Sequence, residues 1–353
     1  MDKPPRRPLA FDYDQSIMVW AVPLMIMMAL TCNVTALTLP FLEIRIWPAG
    51  VENYSVPHTV ELMWGTFKLY LIAVLIAGFS LVFPFVKLLM LGCAWYVPLT
   101  GKSRSRLLST LGALGRWSLL DVFVALVLIV LAHDQGTLFV TGVEPGLGLF
   151  LCAIVMAMAT GDLMHHLHER SEGSVVEVRK GERVSPLLVW AVPILAIGAI
   201  AALVAALQAP YLRITAWFLD DAEYSILGTI VALLQEGEIV FGLAVGTFLV
   251  VTPSLRIVLI AAAWWWRGNP RRLVAVSKGL NVMERWAMLD VFGLAIGLFL
   301  LEGGNLVPVE RRGGVWLLVA AVAGTVVLAK VAGLLINRSA IEFSPEEQAP
   351  ISP

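Results

Sequence analysis

Charge is scarce in this chain. Asp, Glu, Lys and Arg supply 14% of its 353 residues, while 59% are hydrophobic and the mean hydropathy is +0.83. Soluble domains carry roughly 25% charged residues. The scarcity excludes a water-soluble globular core and places the chain in a bilayer. The net charge of −1 carries little information, because in a membrane protein the distribution of charge decides more than its sum. Cysteine is scarce too. Cys32, Cys93 and Cys152 each lie inside an apolar stretch, without the paired spacing of a zinc ribbon or a disulfide framework, and are expected to be buried small residues. There is no His-Glu-x-x-His and no Ser/His/Asp arrangement. Thr100-Gly101-Lys102-Ser103 resembles the end of a phosphate loop, but Tyr96 stands where the upstream glycine is needed and no strand precedes it, so ATP binding is rejected. His165, His166 and His168 lack a carboxylate or cysteine at ligand spacing and read as a solvated helix end. The expectation is a non-enzyme without cofactor or metal, and without a nucleic-acid partner.

What is present is a sequence that repeats itself. Val19-Trp20-Ala21-Val22-Pro23 returns as Val189-Trp190-Ala191-Val192-Pro193, an offset of 170. Arg116-Trp117-Ser118-Leu119-Leu120-Asp121-Val122-Phe123 returns as Arg285-Trp286-Ala287-Met288-Leu289-Asp290-Val291-Phe292, an offset of 169. Pro40 matches Pro210, Tyr54-Ser55 matches Tyr224-Ser225, and Pro84 matches Pro253.

A span needs about 20 apolar residues. Eight are expected, over 17–41, 62–98, 117–133, 146–167, 187–208, 238–266, 287–302 and 314–336. The fold class is thus an all-α polytopic membrane protein of eight transmembrane helices, built as two parallel tandem four-helix repeats with small extracytoplasmic β segments. The parallel sense follows from the even number of spans per copy. The expected divisions are a cytoplasmic segment 1–16, a first membrane domain 17–168, a linker 169–186, a second membrane domain 187–338 and a disordered acidic tail 339–353. The first run is too long for a signal peptide and is read as a retained span. Lys and Arg gather at the N-terminus, after spans two and six, and in the linker, which places these loops and both termini in the cytoplasm. The outer loops 42–61 and 209–237 contain alternating segments, Leu42–Trp47 and Tyr211–Trp217, that read as short strands of a small sheet.

Ionisable residues inside spans are costly and each needs an account. Spans two and six each carry a proline followed by a cation: Pro84 with Lys87, and Pro253 with Arg256. The prolines remove a helical hydrogen bond and favour a kink. Arg256 lies about ten residues, roughly 15 Å, inward of Trp264-Trp265-Trp266. Asp121 and Asp290 open spans three and seven, and the expected ion pairs are Lys87 with Asp121 and Arg256 with Asp290. Two readings stand side by side. The pairs either line a polar cavity or gate, or they only fix helix packing, since an aspartate is favoured in a first helical turn. Lys330, late in span eight, is expected to snorkel toward the cytoplasmic face. Lys68 and Glu238 begin spans two and six near the outer face.

The paired Arg-Trp-x-x-Leu-Asp-Val-Phe motif, with Pro84-Phe85-Val86-Lys87 and Pro253-Ser254-Leu255-Arg256, resembles the signature of the paraquat-inducible protein A family over about 17–337. The resemblance marks Pro84, Arg116, Trp117, Pro253, Arg285 and Trp286 as signature residues. It implies two tandem four-helix membrane domains in the inner membrane of a Gram-negative bacterium. It also implies a mammalian-cell-entry (MCE) domain partner that tunnels across the periplasm, and a part in moving phospholipid between the two membranes. Many relatives carry zinc-ribbon cysteine pairs before each membrane domain; this chain has no cysteine in its N-terminal extension or linker, so no zinc is expected. On the first reading Lys87, Asp121, Arg256, Asp290 and Lys330 bind headgroups or gate a cavity. The alternatives are a non-conducting membrane anchor for an MCE partner, with structural charges, and a small-solute secondary transporter.

Overall fold

Hydrocarbon offers backbone amides no water, so apolar runs of this length close their hydrogen bonds internally as helices. The computed structural model describes residues 8–12, 17–46, 50–66, 68, 70–115, 119, 122–123, 139–171, 190–214, 222–235, 237–266, 270–302, 309–311 and 313–339. In chain order the first copy holds α1 (Met18–Thr38), β1 (Leu42–Ile46), β2 (Gly50–Tyr54), α2 (Val56–Gly65), α3 (Ala73–Tyr96), α4 (Gly101–Gly115), β3 (Phe139–Val143) and α5 (Pro145–Ser171). The second holds α6 (Ala191–Gln208), β4 (Leu212–Ile214), β5 (Ala222–Tyr224), α7 (Ile226–Gln235), α8 (Ile239–Trp265), α9 (Pro270–Trp286), α10 (Leu289–Glu302), β6 (Val309–Arg311) and α11 (Gly314–Ser339).

Among the described residues six helices are long and apolar enough to cross a membrane: α1, α3, α5, α6, α8 and α11. Span three, 117–133, lies almost wholly outside the described residues. Span seven corresponds to α10, whose 14 residues reach about 21 Å, short of a bilayer core of about 30 Å. The basic stretches after spans two and six, read as loops, are helices α4 and α9. The N-terminal segment contributes one helical turn, Leu9–Asp12, with Leu9 fully buried. The linker's first three residues continue α5; its remainder and the acidic tail beyond Ser339, expected to be disordered, lie outside the described residues.

Each copy builds its own three-stranded antiparallel sheet, in the orders β2-β1-β3 and β5-β4-β6. The expectation of one small sheet is corrected to two. Leu42 pairs with Tyr54 and Leu212 with Tyr224, so the register repeats with the sequence offset of 170. The third strands come from segments read as plain loop. Beside the second sheet, buried Tyr211 and Thr229 bring their oxygens to 2.8 Å, and Thr229 donates to the Ser225 carbonyl at 3.0 Å. With the threonine proton so used, the tyrosine is the donor.

The last helix of each copy returns against the first, α5 on α1 and α11 on α6. Both returns begin at a glycine. The Gly146 amide donates to the Pro40 carbonyl at 3.1 Å, and the Gly314 amide to the Pro210 carbonyl at 3.1 Å. This match sets the offset of the last helices at 168, which aligns Gly161-Asp162 with Ala329-Lys330. The copies meet through equivalent residues. Phe123 and Phe292, the last residues of the two signature motifs, pack edge to face with centroids 5.5 Å apart. A residue that touches its own counterpart lies on the axis relating the copies.

Helices α3 and α8 each contain a π-helical stretch, Ala77–Val82 and Thr247–Val251, just ahead of Pro84 and Pro253. A proline cannot donate to the preceding turn and crowds it. One wide turn absorbs that conflict, so the expected kink takes the form of a π-bulge. At the outer approach to these helices, Lys68 (φ 56°) and Gly237 (φ 88°) both adopt left-handed backbone. Lys68 therefore matches Gly237, at the offset of 169 that also relates Pro84 to Pro253. Lys68→Gly is expected to stabilise the protein by about 1 kcal/mol, because glycine alone meets this conformation without a β-carbon penalty; thermal unfolding in micelles checks it.

Large apolar side chains cover the outside of the span helices, and Trp20 (78% exposed) and Trp190 (68%) mark the same end of α1 and α6. A lipid solvent accounts for such a surface. Cys93 and Cys152 are exposed on it and Cys32 is half-buried, which corrects the expectation of burial. Their helices turn small residues toward lipid, where no polar partner is required. His168, expected in solvent, is buried.

Candidate functional site

The two copies place their deep cations in equivalent settings and treat them differently. In the first copy Lys87 follows Pro84 on α3 and is 3% exposed. Its ammonium group has no hydrogen-bond partner among the described residues. A β-carbon on Gly115 would stand 2.9 Å from Lys87 Nζ, so the glycine lets the ammonium lie where it does without shifting. The voids beside Lys87 hold about 10 Å³ each, one reaching Asn33 and the other Asp162 and Arg285. The first site is closed.

In the second copy Glu284 occupies the position of Gly115 at the same offset of 169. Its carboxylate lies 3.6 Å from Arg256, with side-chain exposures of 60% and 12%. Around this pair opens a cavity of about 200 Å³. Its wall is built from Pro253 and Arg256 of α8, Glu284 of α9, and Leu289 and Asp290 at the start of α10. Ala287, between α9 and α10, adds to it, and α11 closes it through Val322, Thr325, Val326, Ala329 and Lys330. The amide end of α10 favours the Asp290 carboxylate in its first turn. Lys330 is exposed along this wall. Arg256, Asp290 and Lys330, singled out separately in the sequence, are thus brought together. Asp121, Arg116 and Trp117 lie outside the described residues.

The signature pair of the second copy reaches across to the first. Arg285 Nη1 forms an ion pair with Asp162 Oδ1, and Trp286 Nε1 donates to Asp162 Oδ2 at 2.8 Å. Trp286 stacks on Phe248 in the π-stretch, with centroids 6.0 Å apart. The Thr252 hydroxyl lies 3.2 Å from the Trp286 carbonyl and 2.9 Å from the Phe248 carbonyl. Gly112 leaves room for the arginine: a β-carbon there would meet Arg285 Cδ at 3.3 Å. The clamp is one-sided by sequence. Asp162 has Lys330 as its counterpart, and a lysine cannot accept from an arginine.

Sequence reasoning singled out neither Asp162 nor Glu284 nor Thr325 as a site residue. Asp162 is far from Arg285 in the chain. The signal for Glu284 was available, as a carboxylate aligned with Gly115 six residues ahead of a signature aspartate. The phosphate-loop lookalike is a helix start: the Thr100 hydroxyl accepts from the Ser103 amide at 3.3 Å, and Arg104 caps the end of α3 by donating to the Ala94 carbonyl at 3.2 Å. Among the described residues no group of His, Cys, Asp and Glu could hold a metal.

A duplicated helical unit with apolar spans, polar residues facing inward and a small sheet in each copy defines a multi-pass membrane protein. The family model for paraquat-inducible protein A matches residues 19–168 and again 190–333. The chain belongs to the paraquat-inducible protein A family and carries its unit twice. No curated protein and no solved structure matches the chain.

Proposed function

We propose that this protein is an inner-membrane subunit of an MCE-type lipid transport system. It passes phospholipid between the inner membrane and a periplasm-spanning partner tunnel, and so maintains the outer membrane. In this reading the chain crosses eight times as two parallel four-helix units, with both termini cytoplasmic and the two sheets outside, where the partner docks. It performs no covalent chemistry and needs no cofactor. The observation that carries the reading is the charged cavity between α8, α9, α10 and α11, which is open in one copy and closed in the other. Buried charges that served packing alone would be expected to close in both. Family membership supports the same setting.

The anchor reading draws on the Asp162–Arg285–Trp286 clamp, where charge does hold helices together. The two readings separate on Asp290→Asn and Arg256→Met. The expected result is an unchanged membrane level and unchanged recovery of the MCE partner, with a permeable outer envelope scored by detergent sensitivity. Loss of the protein from the membrane would make these charges structural. An intact envelope with both variants would refute the transport reading.

A further inference from the structure

We infer that the second-copy cavity takes a zwitterionic headgroup, a phosphodiester joined to a primary ammonium, in preference to an anionic one. The inference rests on the lipid-transport reading and names its substrate class. Arg256 and Lys330 present guanidinium and ammonium donors, the groups that grip phosphate oxygens. Glu284 and Asp290 present carboxylates to the same space, and a carboxylate accepts from an ammonium but repels a phosphate. The four formal charges sum to zero. A net-neutral ligand bearing both signs joins the Arg256–Glu284 pair without unbalancing the site, whereas a headgroup with a phosphate alone brings a like charge up to two carboxylates in a partly desolvated space.

Size agrees. A cavity of about 200 Å³ equals roughly seven water volumes, room for a phosphate, an ethylene link and an ammonium. Its apolar wall runs along α11 through Val326 to the exposed Val319 and Val327, a surface suited to an acyl chain. The first copy supplies the internal contrast. There Gly115 stands in place of Glu284 and Asp162 in place of Lys330. That carboxylate is engaged by Arg285 and Trp286, and the space left is about 10 Å³.

The test uses the purified full-length protein. It is exchanged into micelles doped with equal amounts of phosphatidylethanolamine and phosphatidylglycerol of identical chains, and retained lipid is counted by native mass spectrometry. Phosphatidylethanolamine is expected to be retained about tenfold over phosphatidylglycerol, the ratio one charge-assisted contact supplies. Glu284→Gln with Asp290→Asn should erase that preference or invert it. Arg256→Met with Lys330→Met should lower retention of both lipids. Lys102→Gln, an exposed position on α4, should change neither. Lipid retained without preference, or a preference for phosphatidylglycerol, overturns the inference and leaves the transport reading standing. A preference that survives the carboxylate variants also overturns it. No retained phospholipid of either kind overturns both. Soluble glycerophosphoethanolamine at equal concentration separates the headgroup from its lipid. If it displaces the bound phosphatidylethanolamine completely, the site takes the free headgroup and the lipid assignment falls; persistence of the lipid supports it.

Discussion

Alanine in place of Asp162 is expected to destabilise the folded protein by about 3–5 kcal/mol, the usual cost of removing one partner from a largely buried ion pair. Asp162 is the shared acceptor of Arg285 and Trp286. Without it a guanidinium, 19% exposed, is left without this counter-charge, and an indole N–H loses its acceptor at a further cost of about 1 kcal/mol. The damage spreads, since Trp286 also stacks on the π-stretch of α8. Denaturation in micelles, followed by tryptophan fluorescence, gives the number. The cycle needs its other corners. Asp162→Leu with Arg285→Met should recover most of the loss, because well-packed apolar pairs commonly replace buried ions without penalty. Asp162→Lys, which gives the first copy the residue of the second, should be worse than alanine. Wild-type stability in Asp162→Ala would refute the clamp.

Gly146→Val and Gly314→Val are expected to be the next most damaging changes, each by about 2–4 kcal/mol. At both glycines a β-carbon would run into a proline carbonyl oxygen, and the helix amide donates to that same oxygen. The clash is with backbone, which cannot rotate aside. Overpacking of this kind costs about 1–3 kcal/mol, and losing the hydrogen bond adds about 1 kcal/mol. Because the contact anchors the last helix of each copy beside its sheet, the two variants should behave alike. Their unfolding midpoints, measured side by side, check the structural equivalence of the copies. A valine tolerated at one position and not at the other would contradict the offset of 168 on which the pairing of Asp162 with Lys330 depends.

The duplication was legible because it is written in tryptophan, proline and aspartate, residues whose recurrence at a fixed offset stands out from an apolar background. The apolar runs gave six helices that the structure shares. The central strand of each sheet, though not its hairpin partner, was legible from the alternation of Leu42–Trp47 and Tyr211–Trp217. The third strands were not: Phe139–Val143 carries a glycine, and Val309–Arg311 is too short to alternate. Helices α4 and α9 were hidden by their arginines and lysines, which signalled a cytoplasmic loop more strongly than their spacing signalled a helix. Of the site, Arg256, Asp290 and Lys330 could be named as charges in the wrong solvent. That they share one cavity could not, since it depends on how α8, α10 and α11 pack. Asp162 was the largest omission. Its partners are supplied by the other copy, and no local pattern announces a contact between domains.

On the proposed function the copies have divided their work, with the first closed around its cation and the second open to a lipid headgroup. Val326 and Met158 occupy equivalent positions on α11 and α5, yet Val326 is 41% exposed and lines the cavity while Met158 is 6% exposed. A photoreactive amino acid placed at each, followed by illumination of intact membranes and mass spectrometry of the adducts, compares the two sites directly. Phospholipid adducts are expected at position 326, falling sharply when Arg256→Met is added, and none are expected at position 158. Equal labelling at both positions, or labelling at 326 that ignores Arg256, would contradict the account.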